Sequence, residues 1–369
     1  MTINICIIVG ARPNFMKVAP LIRALEKANK EGFEINDRLV YAGTENDATL
    51  EASLFEDLEI RRPDVFLGVD CTNLNELTGR VMEEFDAYLT ATPTDAVIVV
   101  DDLASTMAAA IVTKKHGIAL AHLVAGTRSF DISMPKEINR LVIDGLSDYL
   151  FTAGISSNSI ASREGAELSQ IYEVGNILMD TLRFNHNRFR RPAIMDALNL
   201  EEGKYIVFTL NRKALIADTK NLTDMVKAMT KAAGDTPIIA TLRDGAKETL
   251  QSVAADVPTL HVTDTLPYLE FGYLTAHAAG IVTDSGNVAE EATFNSVPCI
   301  TLNKYTEHIE TVKQGSNVLV GEDPAKLAEA TRDMTAGRWK KCSLPDRWDG
   351  RTAERIVHIL LSNIKPQSK

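Results

Sequence analysis

Short apolar, β-branched runs alternate along this chain with segments whose apolar residues recur every three or four positions. The first run, Ile3–Val9, has no polar alternation apart from Asn4. A strand with one wet face alternates, whereas a strand covered on both faces reads as a continuous apolar run. Residues 17–27 follow with Val18, Leu21, Ile22 and Leu25 at helical spacing. The same reading predicts strands at 38–41, 96–100, 119–123 and 149–151, and a helix at 105–115. From Tyr205 the alternation restarts. Strands are predicted at 206–209, 238–240, 259–262, 280–283 and 299–302, with helices at 219–233, 287–293 and 353–363. Strands separated by helices form parallel sheets with helices on both faces. Two such series predict two doubly wound α/β domains. The boundary falls between Val174-Gly175-Asn176 and Pro192, across an Arg- and Asn-rich stretch at 183–191.

Length agrees, since 369 residues is long for a single core. With 45% hydrophobic and 24% charged residues, the chain has the composition of a soluble globular protein. Its net charge of -11 argues against nucleic acid or an anionic membrane as the main partner. Residues 1–10 read as a strand rather than a signal peptide, and no apolar run reaches the roughly 18 residues of a membrane span. Cys6, Cys71, Cys299 and Cys342 lie far apart with no CxxC spacing. Cys6 and Cys299 sit in strand-like runs, so buried thiols and a cytoplasmic home are expected. The tail 365–369 is expected to fray.

Three segments carry candidate chemistry. Gly10-Ala11-Arg12-Pro13-Asn14, then Lys17, follows a buried strand and opens a helix. Open α/β sheets bind ligands at that end of a strand, and Arg12 and Lys17 suit a phosphate or sugar; the plain alternative is an ordinary turn. Thr283-Asp284-Ser285-Gly286-Asn287 also closes a strand and opens a helix, with Glu290 and Glu291 beyond it. The free amides and positive end of such a helix suit a pyrophosphate, and Glu291 suits ribose hydroxyls. The plain reading is an N-cap at Asp284 or Ser285 with solvated glutamates. The third segment runs from His122 to Arg140 and includes Gly126-Thr127-Arg128 and Pro135-Lys136-Glu137-Ile138-Asn139-Arg140.

Together these segments resemble the non-hydrolysing UDP-N-acetylglucosamine 2-epimerases over nearly the whole length. The pattern Gly-x-Arg-Pro-x-x-x-Lys-x-x-Pro is met by Gly10, Arg12, Pro13, Lys17 and Pro20. Ser285 and Glu291 match the residues that hold the nucleotide in that family, and Thr306-Glu307-His308 matches its Thr-Glu-Arg motif. The resemblance implies a GT-B fold, two Rossmann-like domains with parallel sheets facing a central cleft. It places an N-terminal domain at 1–180, a UDP-binding domain at 185–350, and a last helix in 351–369 that packs back on the first domain. It also implies UDP or a UDP-sugar as ligand, with no cofactor or metal, a homodimer, and a role in cell-surface polysaccharide biosynthesis. Arg12, Lys17, Arg140, Arg212, Ser285, Gly286, Glu291, Thr306 and Glu307 are the implied substrate contacts. Asn287 stands where the family has glycine, and His308 where arginine is common.

The family reaction eliminates UDP as the C2 proton leaves and re-adds it after reprotonation from the other face. It needs carboxylates at C2 and a charge-stabilising group near the leaving phosphate. Motif alignment keeps the aspartate, as Asp102, but puts Val124 and Lys136 where two glutamates stand. Asn211 takes the place of a histidine, and Glu45, on a looser match, that of another. Valine moves no proton, and lysine acts as a base only with a depressed pKa. Glu137 remains a possible acid or base, and Asp101 is an alternative to Asp102 as the carboxylate facing ligand, since neighbouring strand residues point opposite ways.

The plain expectation for the other residues is structural. His122 is expected to be a satisfied core histidine, His277 to pack on its helix, Arg128 and Asp131 to form a weak surface pair, and 188–191 to be a solvated hinge face. Three functions stay open at this point: a slow or altered epimerase, a glycosyltransferase-like enzyme using a UDP-sugar, and a non-catalytic UDP-sugar sensor or partner subunit. Loss of the C2 acids matters less for transfer, because transfer removes no C2 proton.

Overall fold

In the computed structural model, residues 2–242 and 244–366 are described; of the tail 365–369, residues 367–369 lie outside that range. The chain divides into two compact units, Met1–Arg183 with Asp346–Lys369, and Phe184–Pro345. In the first unit β1 (Ile3–Val9), β2 (Ile35–Tyr41), β3 (Val65–Phe66), β4 (Ala96–Val100), β5 (Ala119–Ala125), β6 (Tyr149–Thr152) and β7 (Ile171–Glu173) form one parallel sheet in the order β3-β2-β1-β4-β5-β6-β7. Its helices are α1 (Arg12–Lys30), α2 (Ala52–Leu58), α3 (Leu74–Ala91), α4 (Ala104–Lys115), α5 (Pro135–Leu146) and α6 (Ile155–Arg163), with α7 (Ile177–Asn185) at its edge. β1 lies mid-sheet, with Ile7 paired to Leu39 on one side and Ile98 on the other. Ile5 to Val9 are accordingly buried without alternation, as a strand covered on both faces must be.

In the second unit β8 (Ile206–Thr209), β9 (Ile238–Thr241), β10 (Leu260–Thr263), β11 (Gly280–Thr283), β12 (Cys299–Thr301) and β13 (Asn317–Leu319) are again parallel, in the order β10-β9-β8-β11-β12-β13. Its helices are α8 (Ala193–Ala197), α9 (Lys213–Ala217), α10 (Thr219–Ala233), α11 (Asp244–Ala254), α12 (Tyr268–Ala276), α13 (Gly286–Phe294), α14 (Glu310–Lys313) and α15 (Pro324–Thr335). In both sheets the strand order reverses beside the first strand of its unit, the switch point where such sheets bind ligands.

The last helix, α16 (Thr352–Asn363), belongs to the first unit, where it packs on α1. Its first N–H groups, those of Thr352 and Ala353, donate to the Asp180 carboxylate at 3.0 and 2.8 Å. This gives two of the orphan donors of the first turn a buried acceptor.

Several elements differ from the sequence reading. α1 begins at Arg12, not Lys17, because Pro13 fits the first turn and the Asn14 side chain accepts from the Gly10 and Ala11 amides at 3.0 and 3.1 Å. α3 was not foreseen, although Val81, Phe85 and Leu89 recur every fourth residue and Asn73 caps it by accepting from Asn75 and Glu76. Cys6 and Cys299 are buried as expected. Gly10 is required by close approach, since a Cβ there would lie 2.0 Å from Ser105 Oγ.

Candidate functional site

The turn from β1 into α1 is tied to the end of β4. Lys17 is buried and its ammonium lies 2.6 Å from Asp101 Oδ1, while Asn14 Nδ2 donates to Asp101 Oδ2 at 2.8 Å. Asp101 itself has φ 59, so the chain turns sharply where the strand ends. The expected binding lysine and the alternative carboxylate are thus spent on each other. Arg12 is half-buried in the first turn of α1.

Asp102, one residue on, is buried. Arg140 reaches its Oδ2 from Nε at 2.9 Å and from Nη2 at 2.6 Å, and the Lys136 ammonium lies 3.2 Å from its Oδ1. Asn139 Nδ2 donates to the Asp102 backbone carbonyl at 2.8 Å. Burial alone would raise the Asp102 carboxyl, but the charges of Lys136 and Arg140 outweigh it and hold the group below the usual carboxylate range. Lys136, Asn139 and Arg140 come from the start of α5, where the spacing i, i+3, i+4 puts all three on one face.

Glu137 points into the preceding loop. Its carboxylate accepts from Ser129 N, Ser129 Oγ and Phe130 N, each at 2.9 Å, and meets Arg140 Nη1 at 3.2 Å. Burial works against its ionisation, yet these donors keep its carboxyl below the usual range. It therefore holds the 127–134 loop, a role not assigned to it when it was kept as a possible acid or base.

Val124 sits at a register shift between β5 and β6 and has φ 77. A β-branched residue in that region is an outlier, and such outliers concentrate at functional sites. Gly126, with φ +72, has no room for a side chain, since a Cβ would meet the Ser157 carbonyl oxygen at 2.4 Å. Behind this loop is a buried charge cluster. Asp144 receives His122 Nδ1 at 2.6 Å, Arg128 Nη2 at 2.7 Å and the Gly126 amide at 3.1 Å. His122 is thus the satisfied core histidine that was expected. The expected Arg128–Asp131 pair is replaced, because Arg128 is buried and pairs with Asp144 and Glu164, leaving Asp131 to accept from Ser133.

In the second unit the ends of β8 and β11 are fastened by Asp284. Its carboxylate accepts from Asn211 N at 3.0 and 2.9 Å and from Arg212 N at 2.6 Å, and its carbonyl accepts from Asn303 Nδ2 at 3.1 Å. Thr209 and Thr283 join the same strands through their hydroxyls at 2.6 Å. Ser285 is the N-cap of α13, its side chain makes no cap bond, and Gly286 is exposed at the first helical position. Asn211 is exposed. Arg212 is half-buried, donating to Leu302 O at 2.6 Å and pairing with Glu322 at 3.1 Å.

Glu290 and Glu291 are both buried rather than solvated. Glu290 lies 3.7 Å from His308 Nε2. Burial, with a smaller push from the charge of Glu290, raises the Glu291 carboxyl to about 8. Thr306 Oγ1 closes the turn over His308, and Glu307 beside it is half-buried. His277 ends α12 and stacks on Tyr273 at 4.1 Å between ring centroids, as its packing role required.

These geometries meet the comparisons with known proteins. The family model for UDP-N-acetylglucosamine 2-epimerase matches residues 26–361. The UDP-N-acetylglucosamine 2-epimerase of Methanocaldococcus jannaschii is 32% identical over 370 residues, which are 97% of this chain and 98% of that protein. The chain belongs to the UDP-N-acetylglucosamine 2-epimerase family. The crystal structure of the Methanocaldococcus jannaschii protein in complex with UDP-GlcNAc and UDP is similar with a TM-score of 0.83, covering 98% of this chain and 100% of that one at 32% identity. A Pseudomonas aeruginosa relative, UDP-2,3-diacetamido-2,3-dideoxy-D-glucuronate 2-epimerase, is 31% identical over 332 residues, 89% of this chain and 91% of that protein. The fold is GT-B, with two Rossmann-like parallel-sheet domains. Among the described residues no helix is long and apolar enough to cross a membrane.

Asp102, Asn139, Arg140 and Gly126 are held by the contacts above, and the Ser285 amide donates to Thr283 Oγ1 at 3.0 Å. Glu45 is exposed. The organising roles of three residues escaped the sequence reading: Asn14 was named only within its motif, Asp284 only as a helix cap, and Asp144 not at all. Each is a short polar side chain beside a turn, the one signal that marked them.

Proposed function

We propose that the protein binds a UDP-sugar and that its handling of the sugar's C2 departs from the carboxylate-driven epimerisation of its family. The relatives named above act on different UDP-sugars, so UDP is their common part. On this chain the amides at the start of α13, beside Ser285 and Gly286, would hold the pyrophosphate, and Glu291 would accept the ribose hydroxyls. The observation that carries the second half of the reading is the state of Asp102. It is buried, tied to Arg140 and Lys136, and held below its usual pKa. A group that moves protons near neutral pH needs a pKa near neutral. With Val124 and Lys136 at the two glutamate positions, the carboxylates beside Asp102 are Asp101, paired with Lys17, and Glu137, committed to the loop.

Two measurements test this. Calorimetry should show UDP binding that Glu291→Ala weakens by about 1–3 kcal/mol, the loss of a charged hydrogen-bond partner. Incubation with UDP-GlcNAc in deuterated water, followed by NMR, should show binding without exchange at C2. Robust exchange and epimerisation by the unmodified protein would overturn the second half of the reading, and absence of UDP binding the first.

A further inference from the structure

Glu291 is a carboxyl group in an unusual position. It is only 7% exposed, and among the described residues nothing donates a hydrogen bond to it. α13, which carries it, packs on β11, β12, β13 and α14. β11 and β13 bring no charged side chain, and β12 brings the buried thiol of Cys299. On the α14 side lie His308, Glu310 and the exposed Lys313, and His308 is paired with Glu290 at 3.7 Å. The nearest charge to Glu291 is therefore another carboxylate. Ionising a buried acid without a donor or a cation is unfavourable, so the group keeps its proton.

We propose that nucleotide uptake by this chain is coupled to proton release: Glu291 is protonated in the free protein and becomes a carboxylate as the vicinal diol of a ribose docks on it. This rests on the reading of α13 as the nucleotide pocket. The two ribose hydroxyls supply the O–H donors that the protein withholds, and hydrogen bonds to the charged form favour it. The proton leaves to solvent, and no bond is made or broken in the ligand. Burial and Glu290 place the free carboxyl at about 8, so near neutral pH most free molecules carry the proton. Affinity then rises with pH up to that value and levels off above it, by up to about tenfold per pH unit for one linked proton. The arrangement also discriminates, since a ligand with one hydroxyl stabilises the anion less.

The test is calorimetry of the full chain with UDP in buffers of different ionisation enthalpy. The expected result is a heat that changes with the buffer by close to one proton at pH 7. A UDP association constant that climbs between pH 6 and 8 should accompany it, after subtracting the profile of Glu291→Gln, which contains only the ligand's own titration. 2′-Deoxy-UDP on the unmodified protein is the second measurement, and it should bind with less proton release. UDP binding with a buffer-independent heat, or a Glu291→Gln profile equal to that of the wild type, overturns the proposal and leaves the nucleotide pocket standing. No UDP binding at all removes the pocket and the proposal with it.

Discussion

Replacing Val124 by asparagine should not destabilise the protein, although asparagine is a poor substitute for a half-buried valine elsewhere. At Val124 φ is 77, a region that costs an L-residue about 1–2 kcal/mol and a β-branched one most. Asparagine enters that region readily because its short amide bonds to nearby backbone. Against the relief stands the lost apolar contact. Full burial of a valine contributes roughly 1.5–3 kcal/mol, and Val124 is only half-buried, so the loss is about 1 kcal/mol. The two effects leave Val124→Asn between neutral and about 1 kcal/mol more stable. Val65, half-buried on β3, is not among the positive-φ residues, so Val65→Asn has nothing to relieve and should cost about 1 kcal/mol or more. Glycine is a weaker test at 124, since its freedom in the unfolded chain cancels about 0.5–1 kcal/mol of the relief. Urea denaturation reads the difference as a shift in midpoint at constant slope. If Val124→Asn loses as much as Val65→Asn, the backbone at 124 is not strained and the argument fails.

Three further outcomes follow from the same contacts. The triple change Val124→Glu, Lys136→Glu and Asn211→His should restore measurable C2–H exchange on UDP-GlcNAc, since each restored acid or base contributes about 10²–10⁴-fold and their effects are not additive; a triple variant that binds UDP but exchanges nothing counts against the alignment. Asp144→Ala should cost about 1–3 kcal/mol in denaturant, because it removes the buried acceptor of His122 and the Gly126 amide and leaves Arg128 with Glu164 alone, and a loss under about 1 kcal/mol would show that the cluster contributes little to stability. Asp180, pushed from 3.8 to about 6 by burial, binds its proton more tightly folded than unfolded. Its contribution is whole below about pH 4 and is lost as pH rises through 6, so the wild type should lose about 2–3 kcal/mol relative to Asp180→Asn between pH 4 and 7; parallel profiles would refute this.

What the sequence made legible was whatever depends on local pattern. Ile3–Val9, Ala96–Val100, Ile206–Thr209, Gly280–Thr283 and Thr219–Ala233 stand where periodicity put them, because uninterrupted apolar runs and a strong 3.6-residue repeat have few competing readings. α3 was missed because Glu83, Glu84 and Asp86 fall between Val81, Phe85 and Leu89, and Met82, Ala87 and Tyr88 blur the one-sided apolar stripe. β3, β7 and β13 were missed because two or three residues carry no period. The site residues were legible as motifs, but their state was not. Nothing local says that Lys17 is consumed by Asp101, that Arg128 turns inward to Asp144 rather than to Asp131, or that Glu291 is buried. Those are long-range pairings, set by which strand ends the sheet brings together.

The pattern of change within the frame has a physical meaning of its own. Arg140 alone satisfies one oxygen of Asp102 with two nitrogens, so Lys136 adds a second cation to a carboxylate already paired. On the motif alignment that underlies the proposal, a reversed charge stands at 136 and no acid at 124. The same carboxylate that could exchange a proton beside another acid becomes a fixed anion between two cations, because like charges raise a pKa and opposite charges lower it. Lys136 remains 57% exposed at its side chain, so this pair is solvent-screened and worth little to stability. Its effect is on the charge state of Asp102. Lys136→Met should therefore leave the melting temperature nearly unchanged while raising the Asp102 pKa, readable by carboxyl ¹³C chemical shifts. An unshifted Asp102 in that variant would mean that Arg140 alone fixes the anion, and that restoring chemistry must begin there.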